Sequence, residues 1–413
     1  MPVNHRLFPM HLRILLTLSL CSSALADTIS LPLGSTPSYV KQHNLELASA
    51  RLRIEEAKGR LMQSGRLSNP DLGFELKHDR RFDEGAMALS FDQKFPLTSR
   101  LRLEKTLSGK AVTVAELEVE AVELKLITEA QSLVIKLLSL EQQRPLRKKQ
   151  SDLALKLSDF AAKRAGTGEV SLLDATQAQV DSQRILLAGQ QLETGRISHL
   201  GQLKNLLGVS HTDSLIVIGT LPGIALPGRK TNWEKRPDYQ LSKLKEESSR
   251  LEVDLARSRK WEDLTAGVFV EGERMMDAPS GLERTGYLGF RLSLPLPLWN
   301  KNEGEVQEKT ASVERSLLET KTLSSQIQNE AATAWAEMMA YAKLAADTEE
   351  KLLPLVLKQT ENLEKAYQQG QTDLFTVLRS SEQKLQLETA TLEAARDFHL
   401  ARIRYEAVAG SNK

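Results

Sequence analysis

Cysteine is nearly absent. Cys21 is the only one in 413 residues, so no disulfide framework can be built within the chain. Aromatic residues are also scarce, at 5%, which argues against one large aromatic-rich core. Neither charge sign dominates: the formal net charge is +1, and no global field draws the chain to nucleic acid. No segment approaches 18 uninterrupted apolar residues, so spanning helices are excluded and any membrane crossing falls to strands. The seven histidines, His5, His11, His43, His78, His199, His211 and His399, form no i, i+3 or i, i+4 pair of the kind that ligates metal. No glycine-rich phosphate loop and no Ser/His/Asp set is evident, so neither an enzyme nor a cofactor is expected.

What is present begins with an export signal over 1–26. Arg6, His11 and Arg13 precede the short apolar run 14–20, and Ala24-Leu25-Ala26 supplies small residues for cleavage after Ala26. A lipidated Cys21 is the alternative, but Leu20 is larger than the small residue wanted before an acylated cysteine. The rest is rich in Leu, Ala, Glu, Lys, Gln and Ser, which favours long helices.

Anchors recur at nearly one offset. Pro37-Ser38-Tyr39 returns as Pro237-Asp238-Tyr239, Gly168 as Gly370, and Gly208-Val209-Ser210 as Gly410-Ser411. The common order points to two tandem units, 27–210 and 236–410, joined by an irregular connector over 211–235 that holds Pro222-Gly223 and Pro227-Gly228. Each unit opens with a helical pattern, at 38–67 and at 238–261. Two alternating strands follow, within 71–95 and within 264–294. The polar stretches 78–86 and 272–285 read as loops. Long helical hairpins close each unit, over 101–208 and 303–409; their descending arms of roughly 65 residues would reach about 100 Å. Pro145 and Pro354 should kink or break those arms.

The fold class expected is therefore mainly α with a small β part. Four strands in one chain leave open edges that lipid would not tolerate, whereas three chains would supply twelve strands for a closed barrel. In that arrangement Leu72, Phe74, Met87, Leu89, Phe91, Val268, Phe290 and Leu292 face lipid. Glu75, Lys77, Ser90, Asp92, Glu271, Arg291 and Ser293 then face water. The strands taken alone fit a small sheet packed on a helix better; the two long hairpins favour an α-barrel continued by a membrane-seated end.

These residues carry a resemblance. The duplicated unit, Asn69-Pro70-Asp71-Leu72 at the first strand pair, and above all Leu294-Pro295-Leu296-Pro297-Leu298-Trp299-Asn300-Lys301-Asn302-Glu303-Gly304 resemble the TolC family of outer-membrane efflux proteins, over nearly all of the mature sequence. The last stretch is most similar to members serving heavy-metal RND pumps, although Phe95-Pro96-Leu97-Thr98-Ser99-Arg100 lacks the Gly-Gly often found at the matching turn. The resemblance implies a homotrimer with a 12-stranded β-barrel in the outer membrane and an α-helical barrel in the periplasm. It implies a periplasmic adaptor and an inner-membrane pump as partners, an RND pump ahead of an ABC pump. It also implies helix-reversal tips that meet the adaptor: Gly168, Val170, Ser171 and Leu172, and Gly370, Thr372, Asp373 and Leu374. Three copies of Asp373 could form an acidic gate, with an ordinary helix cap as the simpler role. The expected function is a passive outer-membrane conduit for export. A periplasmic adaptor or a structural coiled-coil protein of an export complex is the alternative, and the cargo is not named by the sequence.

Overall fold

The computed structural model describes residues 28–410 apart from residues 230, 278 and 280. The expected signal segment, its cleavage point and Cys21 lie outside the described residues.

The elements run β1 (Thr28–Pro32), α1 (Thr36–His43), α2 (Leu45–Gln63), β2 (Asp71–His78), β3 (Gly85–Phe95), α3 (Arg100–Gly166), α4 (Leu172–Leu206) and β4 (Ser214–Ile218). They continue with α5 (Pro237–Ser258), β5 (Leu264–Asp277), β6 (Gly281–Ser293), α6 (Glu303–Ala346), α7 (Leu353–Gln368) and α8 (Leu374–Ala409). The order helix, strand pair, long helical arm, return helix thus occurs twice, and the chain is mostly helical with antiparallel strands.

Helix α3 has 67 residues, about 100 Å at 1.5 Å per residue. It runs through Pro145 without a break, one of the two outcomes expected there. Pro145 lies on an exposed face, so the carbonyl that loses its helical partner there can turn to water. Packing of α3 against α4 and α8 then overrides the local penalty. Pro354 does mark an interruption. A π-helical turn, Asp347–Leu352, separates α6 from α7, and Pro354 occupies the first turn of α7, where its missing N–H matters least.

The expected single helix over 38–67 is divided. Asn44 leaves helical geometry, its Oδ1 accepts from Leu47 N at 2.7 Å, and its Nδ2 donates to Leu206 O at 2.7 Å. One buried side chain thereby caps α2 and ties it to the end of α4. The connector is also less irregular than expected, because Ser214–Ile218 pairs in parallel with Thr28–Pro32, Leu31 opposite Val217. Both strands were missed: each has only five residues, and its partner is nearly 190 positions away. The stretch 272–285 is mostly strand, since β5 and β6 continue their ladder to Asp277 opposite Gly281.

The core sits at mid-length. Leu31, Val40, Leu47, Leu126, Leu133, Leu137, Leu203 and Leu215 form one buried cluster, where β1 and β4 clasp the helices. Met338, Phe398, Ala401 and Tyr405 form another between α6 and α8. The connector is strapped over α8: His399 Nε2 bonds Pro222 O at 2.8 Å.

Candidate membrane face and helix tips

The four antiparallel strands make one sheet, in the order β2-β3-β5-β6, with β3 and β5 joining the two halves. Residues paired across an antiparallel ladder share a face. Leu72 pairs with Phe91, Phe91 with Val268, and Val268 with Phe290. The next row is Phe74, Leu89, Val270 and Leu288. Leu292 extends the face from below, opposite Ala266. The eight residues expected to face lipid, Leu72, Phe74, Met87, Leu89, Phe91, Val268, Phe290 and Leu292, therefore lie together on one face. They are exposed, Phe290 at 84% and Leu288 at 74%. Among the described residues no helix covers them, so a sheet packed on a helix does not describe this part of the chain.

The opposite face carries Glu75, Lys77, Ser90, Asp92, Glu271, Arg291 and Ser293, as the alternation predicts. Phe269 is a large apolar exception there. Its ring lies over Gly289, where an added Cβ would come within 2.4 Å, and Arg291 stacks 5.4 Å from the ring centre. Glycine opposite an aromatic thus fills a gap on an otherwise polar surface.

Below the sheet, Leu294, Leu296 and Leu298 are exposed, and Trp299 is 94% exposed. The turn that presents them is built by its asparagines. Asn302 takes a left-handed conformation at φ 60°, its backbone N–H donates to Asn300 Oδ1 at 3.0 Å, and its Nδ2 donates to Ala256 O at 2.8 Å. Asparagine tolerates that conformation better than other side chains do. Nearby, Arg100 grips Asp263 with two bonds of 2.7 and 3.0 Å, joining the start of α3 to the entry of β5.

At the far end of the rods the two tips share one design. Gly168 has φ +78° and Gly370 φ +73°. Glu169 N donates to Arg164 O at 3.0 Å, and Gln371 N to Ala366 O at 2.8 Å, the six-to-one bond of a glycine-terminated helix. Ser171 Oγ then accepts from Asp174 N at 3.1 Å, and Asp373 Oδ1 from Thr376 N at 3.0 Å, capping α4 and α8. The Asp373 carboxyl is also the acceptor for the Thr376 hydroxyl at 3.0 Å. Burial pulls its pKa upward, but the Thr376 bonds, joined by those of the Phe375 and Asp373 backbone, together hold it below the usual Asp value.

Val170 and Asp373, from different tips, line one groove of about 1010 Å³ together with Arg164, Asp174 and Arg379. Thr372 and Leu374 flank Asp373 and are half-buried. Leu172 is 78% exposed, and so is Leu173, which sequence reasoning did not single out. Two leucines directly after a cap were the available signal. Among the described residues no group of three or more His, Cys, Asp or Glu is placed to hold a metal ion, and no helix is long and apolar enough to cross a membrane.

No family model matches the sequence, and no curated protein does. Solved structures do match. CusC, solved in connection with folding and transmembrane channel formation, aligns at TM-score 0.73 and 14% identity, over 91% of this chain and 91% of that one. The CmeC outer membrane channel of Campylobacter jejuni aligns at 0.72 and 15% identity, over 92% of this chain and 85% of that one. The outer membrane protein VceC of Vibrio cholerae aligns at 0.71 and 19% identity, over 92% and 96%. The chain has the fold of these outer-membrane channels.

Proposed function

We propose that the chain is the outer-membrane channel of a tripartite efflux system, working as a homotrimer. The observation that carries this reading is the four-stranded sheet with one largely apolar, uncovered face and two free edges, β2 and β6, set at one end of rods about 100 Å long. Free edges cannot persist in lipid. Three copies joined edge to edge would close twelve strands, with the apolar face outward and the charged face around an aqueous lumen. Trp299 would then sit at the inner water–lipid boundary, where indole rings concentrate. The rods would cross the periplasm, and 27–210 and 236–410 would be two copies of one unit.

The tips at Gly168, Val170, Ser171 and Leu172 and at Gly370, Thr372, Asp373 and Leu374 would receive a periplasmic adaptor, itself coupled to an inner-membrane pump of the RND type. Energy comes from the pump; this chain supplies the passage and performs no chemistry. Asp373 serves first as the α8 cap, and as a gate only through its three copies. The test is extraction of the mature protein from outer membranes. A detergent-dependent trimer that runs intact in SDS and dissociates on heating supports the reading; a monomer stable in buffer without detergent overturns it.

A further inference from the structure

The last row of this face shared by all four strands is of a different kind, although Met276 and Leu282 continue it on β5 and β6. Above Leu76, Met87, Gly272 and Gly286, which pair in sequence across the four strands, come His78, Gly85, Arg274 and Arg284. These rows are about 7 Å apart along the strands. Together they border a notch of about 500 Å³ at the hairpin end of the sheet. Leu76 and Met87 are its apolar side, Gly272 and Gly286 its floor, and Arg274 and Arg284 its outer side. The floor glycines are not demanded by packing. A Cβ on Gly272 would meet nothing within 4 Å, and one on Gly286 only the Glu271 carbonyl at 4.0 Å. Both keep ordinary negative-φ or extended backbones. Missing side chains at two directly paired, lipid-side positions leave that space open.

The lining also holds Glu84 and Glu273, but neither forms an ion pair with Arg274 or Arg284. Arg274 donates to two backbone carbonyls of the β2–β3 hairpin, Asp83 O at 3.1 Å and Phe82 O, which fix the guanidinium without neutralising it. Among the described residues no carboxylate is within ion-pair distance of Arg274 or Arg284, nor of Arg80 or Arg81 in the same hairpin. Two of the hairpin's acids are engaged by backbone N–H groups. Asp79 accepts from the backbone N–H groups of Arg81 and Glu84, both at 3.1 Å, and Glu84 accepts from Met276 N at 3.3 Å.

Resting on the channel reading above, we propose that this notch binds a membrane lipid with an anionic, phosphate-bearing headgroup. Its acyl chain would lie down the apolar face past Leu76 and Met87, and its phosphate would meet Arg284 and Arg274. The arginine fork suits a phosphate, and the notch stands where the apolar rows first meet charge, as a headgroup would.

The test uses the purified full chain in mixed detergent–lipid micelles, with retained lipids counted by native mass spectrometry. Phosphatidylglycerol should be held about tenfold more tightly than phosphatidylcholine, as expected for an added charged contact. Arg284→Gln, an exposed side chain with no partner to lose, should abolish that preference. The pair Gly272→Leu and Gly286→Leu, which fills the notch without strain, should reduce phosphatidylglycerol retention while leaving the arginines in place. Equal retention of the two lipids, or no effect of either variant, overturns the proposal. Displacement of phosphatidylglycerol by millimolar inorganic phosphate would make the occupant a free anion and overturns the lipid assignment. The heat-labile trimer is scored in the same preparation: its presence with equal lipid retention sinks only the notch, and its absence in the unmodified protein sinks the channel reading and the notch with it.

Discussion

Leu288→Arg and Tyr287→Arg change neighbouring residues of β6 that point to opposite faces of the sheet. Both side chains are exposed in the single chain, so in water both changes would be mild. In a lipid-seated barrel they separate. Leu288 lies in the row of Phe74, Leu89 and Val270, with apolar rows on either side, close to the middle of the apolar face. An arginine at that depth costs about 2–4 kcal/mol, roughly 25- to 700-fold in folded over unfolded barrel for each chain, and about three times that energy per trimer. Tyr287 pairs with Glu271 on the polar face, where an arginine gains an opposite charge worth about 0.2–1 kcal/mol. The assay is folding into phosphatidylcholine vesicles across a urea series, scored by the heat-labile trimer. Leu288→Arg should lower the midpoint strongly, and Tyr287→Arg should leave it unchanged or raised. Equal tolerance of the two would refute the assignment of faces, since it would place both in water.

At the tips, Gly370→Ala should cost about 1–2 kcal/mol from left-handed geometry alone, because an added Cβ touches nothing; hydrogen exchange should quicken at Gln371 while trimer melting stays put. Asp373→Ala should lose a cap worth about 0.5–2 kcal/mol, whereas Asp373→Asn keeps it. A conductance change in planar bilayers with Asn alone would show that the charge itself acts as a gate. The Asp373 pKa is lowered in the folded chain, so its contribution is complete above the ordinary Asp range and is lost only as pH falls through the lower, folded value. His399 is lowered chiefly by burial, with Arg402 also disfavouring its charge and Pro222 O and Glu406 opposing. Its neutral form is therefore the folded one. Stability should be complete above the ordinary His value and decline as pH falls below it, with proteolysis of the connector near Pro222 as the readout and His399→Phe removing the pH dependence.

The long helices were legible because their composition leaves little else, and the strands because Leu72, Phe74 and Phe290 mark one face at period two. The tips were legible as turn chemistry: glycine, then a capping Ser171 or Asp373, states a reversal whatever surrounds it. What escaped depended on distant partners. Ser214–Ile218 becomes a strand only because Thr28–Pro32 lies beside it. The upper parts of β5 and β6 looked like loop because Glu273, Arg274 and Arg284 are polar, although the ladder continues through them. The notch could not be read at all, since Gly272, Gly286, Leu76 and Met87 meet only through a four-strand register. At Pro145 the break that the local signal allowed is absent, because tertiary packing of α3 holds the helix continuous.

The two unpaired edges of the sheet, β2 and β6, have a genetic consequence. On the three-chain reading each edge is completed only by a neighbour, so a barrel is no better than its worst member. A chain able to dock its helices but carrying a spoiled edge, for example a proline within β6, would enter assemblies and ruin them. If half the chains in a cell were of that kind and mixing were random, only about one trimer in eight would be whole. Such an allele should be dominant over the normal copy, whereas a chain that fails to fold at all should be recessive.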